Sequence, residues 1–390
     1  MLDNIPPFPY NPRNKQTQRV YELVVGPIMG RWCRLCPLTN YSGHTVGADL
    51  SPPIADLSAP PHLSTTFSYA HTGEDTMQTS SGVKMEDDSQ PLTKCTYTGH
   101  SDWVHTLTWS PDSTRVASAS ADKTVKVWDV ATGNELFTYH DHPDQVFALA
   151  WSPDGTRIAS GGNDRTVQVW DASTGKKLLT CCDLAKYVLS VTWSPNGTRI
   201  ASGSEDESVQ VWDTATGDNL LTYCGHSGKV PAVAWSPDGQ FIASGSWDQT
   251  VQIWDAATGS ETFTTLSHAA PVGTLAWSPS GQHLATGCFG GTVQIWDIAT
   301  GREVFNWNAH SSWVNSLVWS PDGQYIVSGG DDWTVQVWNV ATRQVIFTYP
   351  GHQDQVNAVT WSPNGQYIAS ASDDQTVQVW SIKPVLLAAQ

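Results

Sequence analysis

The chain has 390 residues, and its 20 Lys and Arg against 37 Asp and Glu leave a formal net charge of −17. That balance argues against nucleic-acid phosphates or anionic lipid as partners, because both demand a basic surface. With 20 Trp against 4 Met, 31 Gly and 23 Pro, and no apolar run of 18 residues, the composition excludes a membrane-spanning helix and suits many short strands between tight turns.

Residues 1–91 carry Pro pairs (Pro6-Pro7, Pro52-Pro53, Pro60-Pro61), Ser/Thr runs and Glu86-Asp87-Asp88 without sustained periodicity. This composition predicts a low-complexity, mostly disordered segment. Its start has no apolar signal region, since Val20–Ile28 is short and broken by Glu22 and Pro27, so a cytoplasmic location is expected. Cys33 and Cys36 form a CxxC that lacks both a second zinc-ligand pair and a thioredoxin-like setting, and no cofactor or metal is expected. Seven cysteines at irregular positions fit a reducing compartment, with Cys182 and Cys224 as free thiols despite their equivalent placement.

From residue 92 the chain repeats. Gly99-His100 is followed at steps of 42 residues by Asp141-His142, Asp183-Leu184, Gly225-His226, Ser267-His268, Ala309-His310 and Gly351-His352. Trp128, Trp170, Trp212, Trp254, Trp296, Trp338 and Trp380 keep the same step, as do the Trp-Ser-Pro motifs beginning at Trp109, Trp151, Trp193, Trp235, Trp277, Trp319 and Trp361. Within a copy the apolar pattern has period two, as in Val104–Trp109, Arg115–Ser118 and Thr124–Trp128, which marks strands. Ser152-Pro153-Asp154-Gly155 supplies a hairpin turn, Ala131-Thr132-Gly133 the next, and Glu135–Tyr139 a fourth strand. Four antiparallel strands in about 40 residues make one blade of a propeller. The last copy lacks its fourth strand, and Leu92–Thr98 is expected to supply it, with Val385-Leu386-Leu387 as the weaker competitor. The predicted organisation is an N-terminal segment 1–91, an all-β seven-bladed propeller 92–383 and a tail 384–390.

By these residues the chain resembles the WD-repeat β-propeller family over about three quarters of its length, and the near-identity of its copies is similar to recently duplicated regulatory propellers of bacteria and fungi. Such rings are often fused to a kinase or nucleotide-binding module. Neither a GxxxxGK[ST] loop nor a kinase signature set occurs here. The resemblance implies that the recurring Ser, His and Asp, which imitate a hydrolase triad, are structural tetrads closed by a Trp indole: His100/Ser118/Asp122/Trp128, His142/Ser160/Asp164/Trp170, His226/Ser244/Asp248/Trp254, His310/Ser328/Asp332/Trp338 and His352/Ser370/Asp374/Trp380. An enzyme needs one active site, whereas every blade needs a brace. Leu184 replaces the third His and Gly290 the fifth Asp, which would leave His268, Thr286 and Trp296 without an acceptor and make those two blades the softest.

Function is expected where the copies differ. Three residues after the His stand Trp103, Gln145, Tyr187, Lys229, Pro271, Trp313 and Gln355, and two further on His105, Phe147, Leu189, Pro231, Gly273, Asn315 and Asn357. Trp247 and Phe289 precede the tetrad Asp position, while Lys123, Arg165, Glu207 and Trp333 follow it. In this fold both groups belong to the top rim, so Trp103, Phe147, Tyr187, Trp247, Phe289, Trp313, Trp333, Arg165 and Lys229 are the expected contacts of a protein or peptide partner. The expected role is a non-enzymatic interaction scaffold in signalling or assembly, with no nucleic acid, membrane or small-molecule substrate. An enzyme using the central channel is the alternative.

Overall fold

The computed structural model describes residues 93–181, 184–261 and 265–382. The segment before Thr93, with Leu92, Cys33 and Cys36, lies outside the described residues, as do Cys182, Asp183, residues 262–264 and the tail from residue 383.

Seven sheets, each of four antiparallel strands, follow one another along the chain. The first blade runs from the inside outwards through Val104–Trp109, Arg115–Ser120, Val125–Asp129 and Glu135–Tyr139. The innermost strand of each blade packs beside that of the next, and the seventh packs beside the first, so the ring closes. Closure uses the N-terminal strand as expected: Thr93–Tyr97 pairs antiparallel with Val377–Ser381 and completes the seventh blade. The fourth blade has the shortest outer strand described, Leu266–Ser267.

Each turn is wired by its own side chains. In Ser152–Gly155 the Ser152 hydroxyl donates to Asp154 Oδ1 at 2.5 Å and accepts from the Arg157 amide at 2.9 Å, while Gly155 takes the left-handed φ of 72° that a Cβ would strain. The Asp of each Trp-Asp pair caps the following turn, as Asp129 Oδ1 does by accepting from the Thr132 amide and hydroxyl at 2.8 Å. Much of the chain's acidity is therefore spent on its turns.

The core lies between blades. One cluster joins Ala117, Val125, Val127 and Tyr139 of the first blade to Val146, Trp151, Ile158 and Trp170 of the second, and six similar clusters fill the other gaps. Trp128, Trp170, Trp212, Trp254 and Trp380 are essentially inaccessible to solvent. An aromatic ring buries roughly 150–250 Å², which at about 25 cal/mol per Å² stabilises the fold by about 4–6 kcal/mol each. Glycine appears where blades approach too closely for a side chain: a Cβ on Gly203 would sit 2.5 Å from the Val230 carbonyl oxygen of the next blade.

Candidate functional site

The tetrad is the device that holds the top of each blade. His100 bridges Asp122 and Ser118, with Nδ1 2.8 Å from Asp122 Oδ2 and Nε2 2.8 Å from Ser118 Oγ. The same pairs recur at 2.7–2.8 Å between His142 and Asp164 and Ser160, His226 and Asp248 and Ser244, His310 and Asp332 and Ser328, and His352 and Asp374 and Ser370. Ser118, Ser160, Ser244, Ser328 and Ser370 are all fully buried. These hydroxyls are closed off from solvent, and each bonds the His of its own blade.

The fourth member needs correction in two blades. The indole N–H of Trp170, Trp254 and Trp338 reaches Ser160, Ser244 and Ser328 at 3.2–3.3 Å. Those of Trp128 and Trp380 find no acceptor, so Ser118 and Ser370 bond their His without a Trp. In these blades the indole is held instead by packing, stacked on Tyr97 and Tyr349. Burial pushes the Asp374 carboxyl up, but hydrogen bonds from His352 and Thr376 outweigh it and hold it at about 2. In these five blades the His and Ser are buried, the Asp is half-buried, and all three find hydrogen-bond partners.

The two departures are better compensated than the sequence implies. Leu184 is buried in the cluster with Trp212, and Trp212 Nε1 still donates to Ser202 at 2.9 Å. His268 is not left without an acceptor: its Nδ1 lies 3.2 Å from the Leu266 carbonyl oxygen and its Nε2 2.9 Å from Thr286 Oγ1, on which Trp296 also closes at 3.3 Å. A backbone carbonyl stands in for the missing carboxylate.

At the turn between the second and third strands, the residue after the tetrad Asp position has a positive φ in every blade, including the fifth, where Gly290 stands for the Asp. Lys123, Arg165, Glu207, Gln249, Gly291, Trp333 and Gln375 have φ of 64–79°. Six of these seven are not glycine, and each such residue stores roughly 1–2 kcal/mol of strain. Trp333 is the bulkiest of them and is 50 % exposed.

Side chains on the same face join across blades. Glu205 Oε1 pairs with Lys229 Nζ at 2.5 Å, and Lys229 Nζ stands 4.7 Å above the Trp247 ring. Trp247 meets Phe289 edge-on at 5.5 Å, and Phe289 stacks on Trp313 at 4.3 Å with planes 11° apart. This continuous ridge spans the third to sixth blades. Trp313 thus joins Phe289 and Trp247 in one aromatic row. Trp103 and Tyr187 are half-buried, their carbonyls accepting from Ala121 and Glu205 amides, while Arg165 is exposed.

Phe147 lies elsewhere. The innermost strands of six blades are bulged one residue in, between Val146 and Ala148 in the second. A bulge turns its side chain away from the sheet. His105, Phe147, Leu189, Asn315 and Asn357 consequently line a central cavity of about 460 Å³, where Phe147 packs on His105 at 4.8 Å.

The sequence reasoning passed over two carboxyls beside that cavity. Asp331 and Asp373 occupy the column of Trp247 and Phe289 and accept from the Asn315 and Asn357 amides at 2.7 and 2.6 Å. Burial pushes Asp373 up to about 7 against the Asn357 bond, and Asp354, Asp331 and Asp102 add repulsion. An unfolded Asp titrates near 3.9. The folded state therefore holds a proton that the unfolded state releases between about pH 4 and 7, and stability falls across that window. Asp373→Asn should raise the melting temperature by several degrees at pH 8 and by almost nothing at pH 4, as followed by circular dichroism.

The fold has counterparts among known proteins. A family profile described as the IFT122 first β-propeller matches residues 145–345, just over half of the chain, and that of the WD domain, G-beta repeat, matches 93–129 and 343–381. The chain is a member of the WD-repeat β-propeller family. The pre-mRNA-splicing factor PRP46 of Yarrowia lipolytica is 50 % identical over 36 residues, which is 9 % of this chain and 8 % of that protein. That likeness is shorter than one 42-residue copy of the WD repeat. Among the described residues of the propeller no helix is long and apolar enough to cross a membrane. WD-repeat propellers generally serve as protein-interaction scaffolds.

Proposed function

We infer that this propeller is a non-enzymatic docking platform that binds a protein or peptide on its top face. Trp333 carries the reading: a bulky aromatic held in the left-handed region, half exposed, at a turn where glycine would relieve strain. Strain retained at an exposed side chain is characteristic of functional sites, and Trp is the residue type that most often dominates interface energy. The Lys229–Trp247–Phe289–Trp313 ridge supplies the adjoining preorganised surface. The channel alternative finds less support, because Asp331 and Asp373 are tied to neighbouring asparagines and face no nucleophile or metal cluster among the described residues.

Trp333→Gly separates the two roles of that residue. The substitution should raise the melting temperature by about 2–4 °C, by releasing roughly 1 kcal/mol of backbone strain, and weaken partner capture at least tenfold. Trp313→Ala should weaken capture comparably. Full capture by both variants, measured by quantitative pull-down from cell extract, would contradict the assignment.

A further inference from the structure

On the opposite edge of the ring, neighbouring blades are bridged by the first residue of each second strand. Arg115 and Arg157 stack over Trp151 and Trp193 of the next blade at 4.9 and 4.7 Å, and reach the Ala172 and Gly197 carbonyl oxygens. Arg199 donates to the Ala256 carbonyl at 3.1 Å. Tyr325 and Tyr367 stack on Trp361 and Trp109 at 6.4 and 6.3 Å, and Phe241 shares an apolar cluster with Trp277. In the fifth blade the residue is His283, which stacks on Trp319 at 6.5 Å but is too short to fill the space. A cavity of about 270 Å³ remains between the fifth and sixth blades, walled by Ile295, Val304, Phe305, Trp319 and Val340. Val304 is 45 % exposed at its mouth.

Two further departures from the repeat meet there. Arg343 replaces the glycine found at this turn in the first five blades, takes a φ of 62°, and holds its guanidinium 4.7 Å above the Phe305 ring without an ion pair among the described residues. Ser280 replaces the Asp or Asn of the other six Ser-Pro turns, so the acid that faces Arg115 or Arg157 at 4.0 Å is missing. Asp322 also lines the cavity, but its Oδ1 already accepts from Ser320 and Gln324. A recess of about 380 Å³ between the third and fourth blades is more polar, since Trp235 is joined there by Arg199, Asp238 and turn residues in place of an aliphatic and Phe wall. On a chain of net charge −17, Arg343 therefore sets a guanidinium without an ion pair among the described residues at the edge of an apolar slot that Asp322 also lines.

We propose that the groove between the fifth and sixth blades is a second binding site, which takes one aromatic side chain of a partner segment flanked by acidic residues. The ring occupies the place that Tyr325 and Tyr367 fill elsewhere, between Trp319 and Phe305, and the flanking carboxylates pair with Arg343. The volume suits a single aromatic side chain, since about 150 Å³ already admits benzene. The site is independent of the top face.

The test is fluorescence anisotropy of the full chain with a labelled peptide of sequence Asp-Glu-Tyr-Glu-Asp, and with counterparts carrying Ala for Tyr or Lys for each acid. The acidic tyrosine peptide should bind at least tenfold more tightly than either counterpart. His283→Arg, which refills the groove as Arg115 does, should weaken it at least tenfold without lowering the melting temperature, and Arg343→Gly should weaken it while raising the melt. Trp333→Gly should leave peptide affinity unchanged even if the top-face reading fails. No binding at millimolar peptide, equal binding of the three peptides, preference for the lysine peptide, or full affinity in folded His283→Arg would each overturn the proposal.

Discussion

Removing residues 93–97 lowers the melting temperature by about 10 °C or more. The strand pairs with Val377–Ser381 through Thr93, Cys95, Thr96 and Tyr97, and without it that ladder has a free edge. Tyr97 also locks the seventh blade to the first: its ring stacks on Trp128 at 5.2 Å, and its hydroxyl donates to Glu135 Oε2 at 2.7 Å. At three other seams a Tyr hydroxyl donates to a Gln of the next blade, Tyr139 to Gln168, Tyr223 to Gln252 and Tyr349 to Gln378. At the closing seam Lys126 replaces that Gln and pairs with Glu135 at 3.0 Å, so the acid takes over as acceptor. Removing a buried aromatic alone costs about 3–5 kcal/mol, and at about 2–4 °C per kcal/mol for a domain of this size that accounts for the shift. Tyr97→Ala should recover most of it, whereas Lys94→Ala, at the exposed end, should cost less than about 1 kcal/mol. A melt unchanged by the deletion would mean that another segment closes the ring.

The second large effect is expected from His310→Ala. The imidazole is buried between Asp332 Oδ1 and Ser328 Oγ, both at 2.8 Å, and its loss strands a largely buried carboxylate. Breaking one partner of such a pair costs about 3–5 kcal/mol. His310→Leu should cost less, because Leu184 shows how a leucine packs at the equivalent point while the Trp-to-Ser bond survives. Burial pushes Asp332 up, yet its bonds to His310 and Thr334 hold it at about 2. A carboxyl with a depressed folded pKa contributes stability above its unfolded value near 3.9 and loses it as pH falls towards 2. The gap between wild type and His310→Ala should therefore narrow from pH 6 to pH 2 in urea titrations, and a constant gap would show that the Asp332 carboxylate does not titrate as described.

The architecture was legible because period-two strands and 42-residue spacing are local signals, and the chemistry of Ser-Pro-Asp-Gly turns is local too. Closure by the N-terminal strand followed from counting strands. What the sequence concealed depends on how neighbours lean. Ring order places Trp313 one blade from Phe289 and two from Trp103, but whether the two rings meet depends on how their loops lean. A one-residue bulge moved Phe147 from the rim to the channel, and nothing in its own blade's composition announces that bulge. Identical residue types in every copy also hid the loose indoles of Trp128 and Trp380, which fall short of Ser118 and Ser370 while Ser160 and Ser244 hold theirs. Asp331 and Asp373 went unremarked among many turn aspartates, although their column varies from copy to copy. The missing partner of His268 was replaced by a backbone carbonyl, which no side-chain pattern reveals.

The proposed platform docks a protein partner on its top face through Trp333 and the neighbouring aromatic ridge. That docking is tested most directly by placing a photoreactive phenylalanine analogue at Trp333 and, separately, at Leu178, which is equally exposed on the outer edge of the second blade. Irradiation in cell extract should give one dominant protein adduct from position 333, competed by unlabelled wild-type propeller, and only background from position 178. Equal adducts from both positions, or none from 333, would contradict the account.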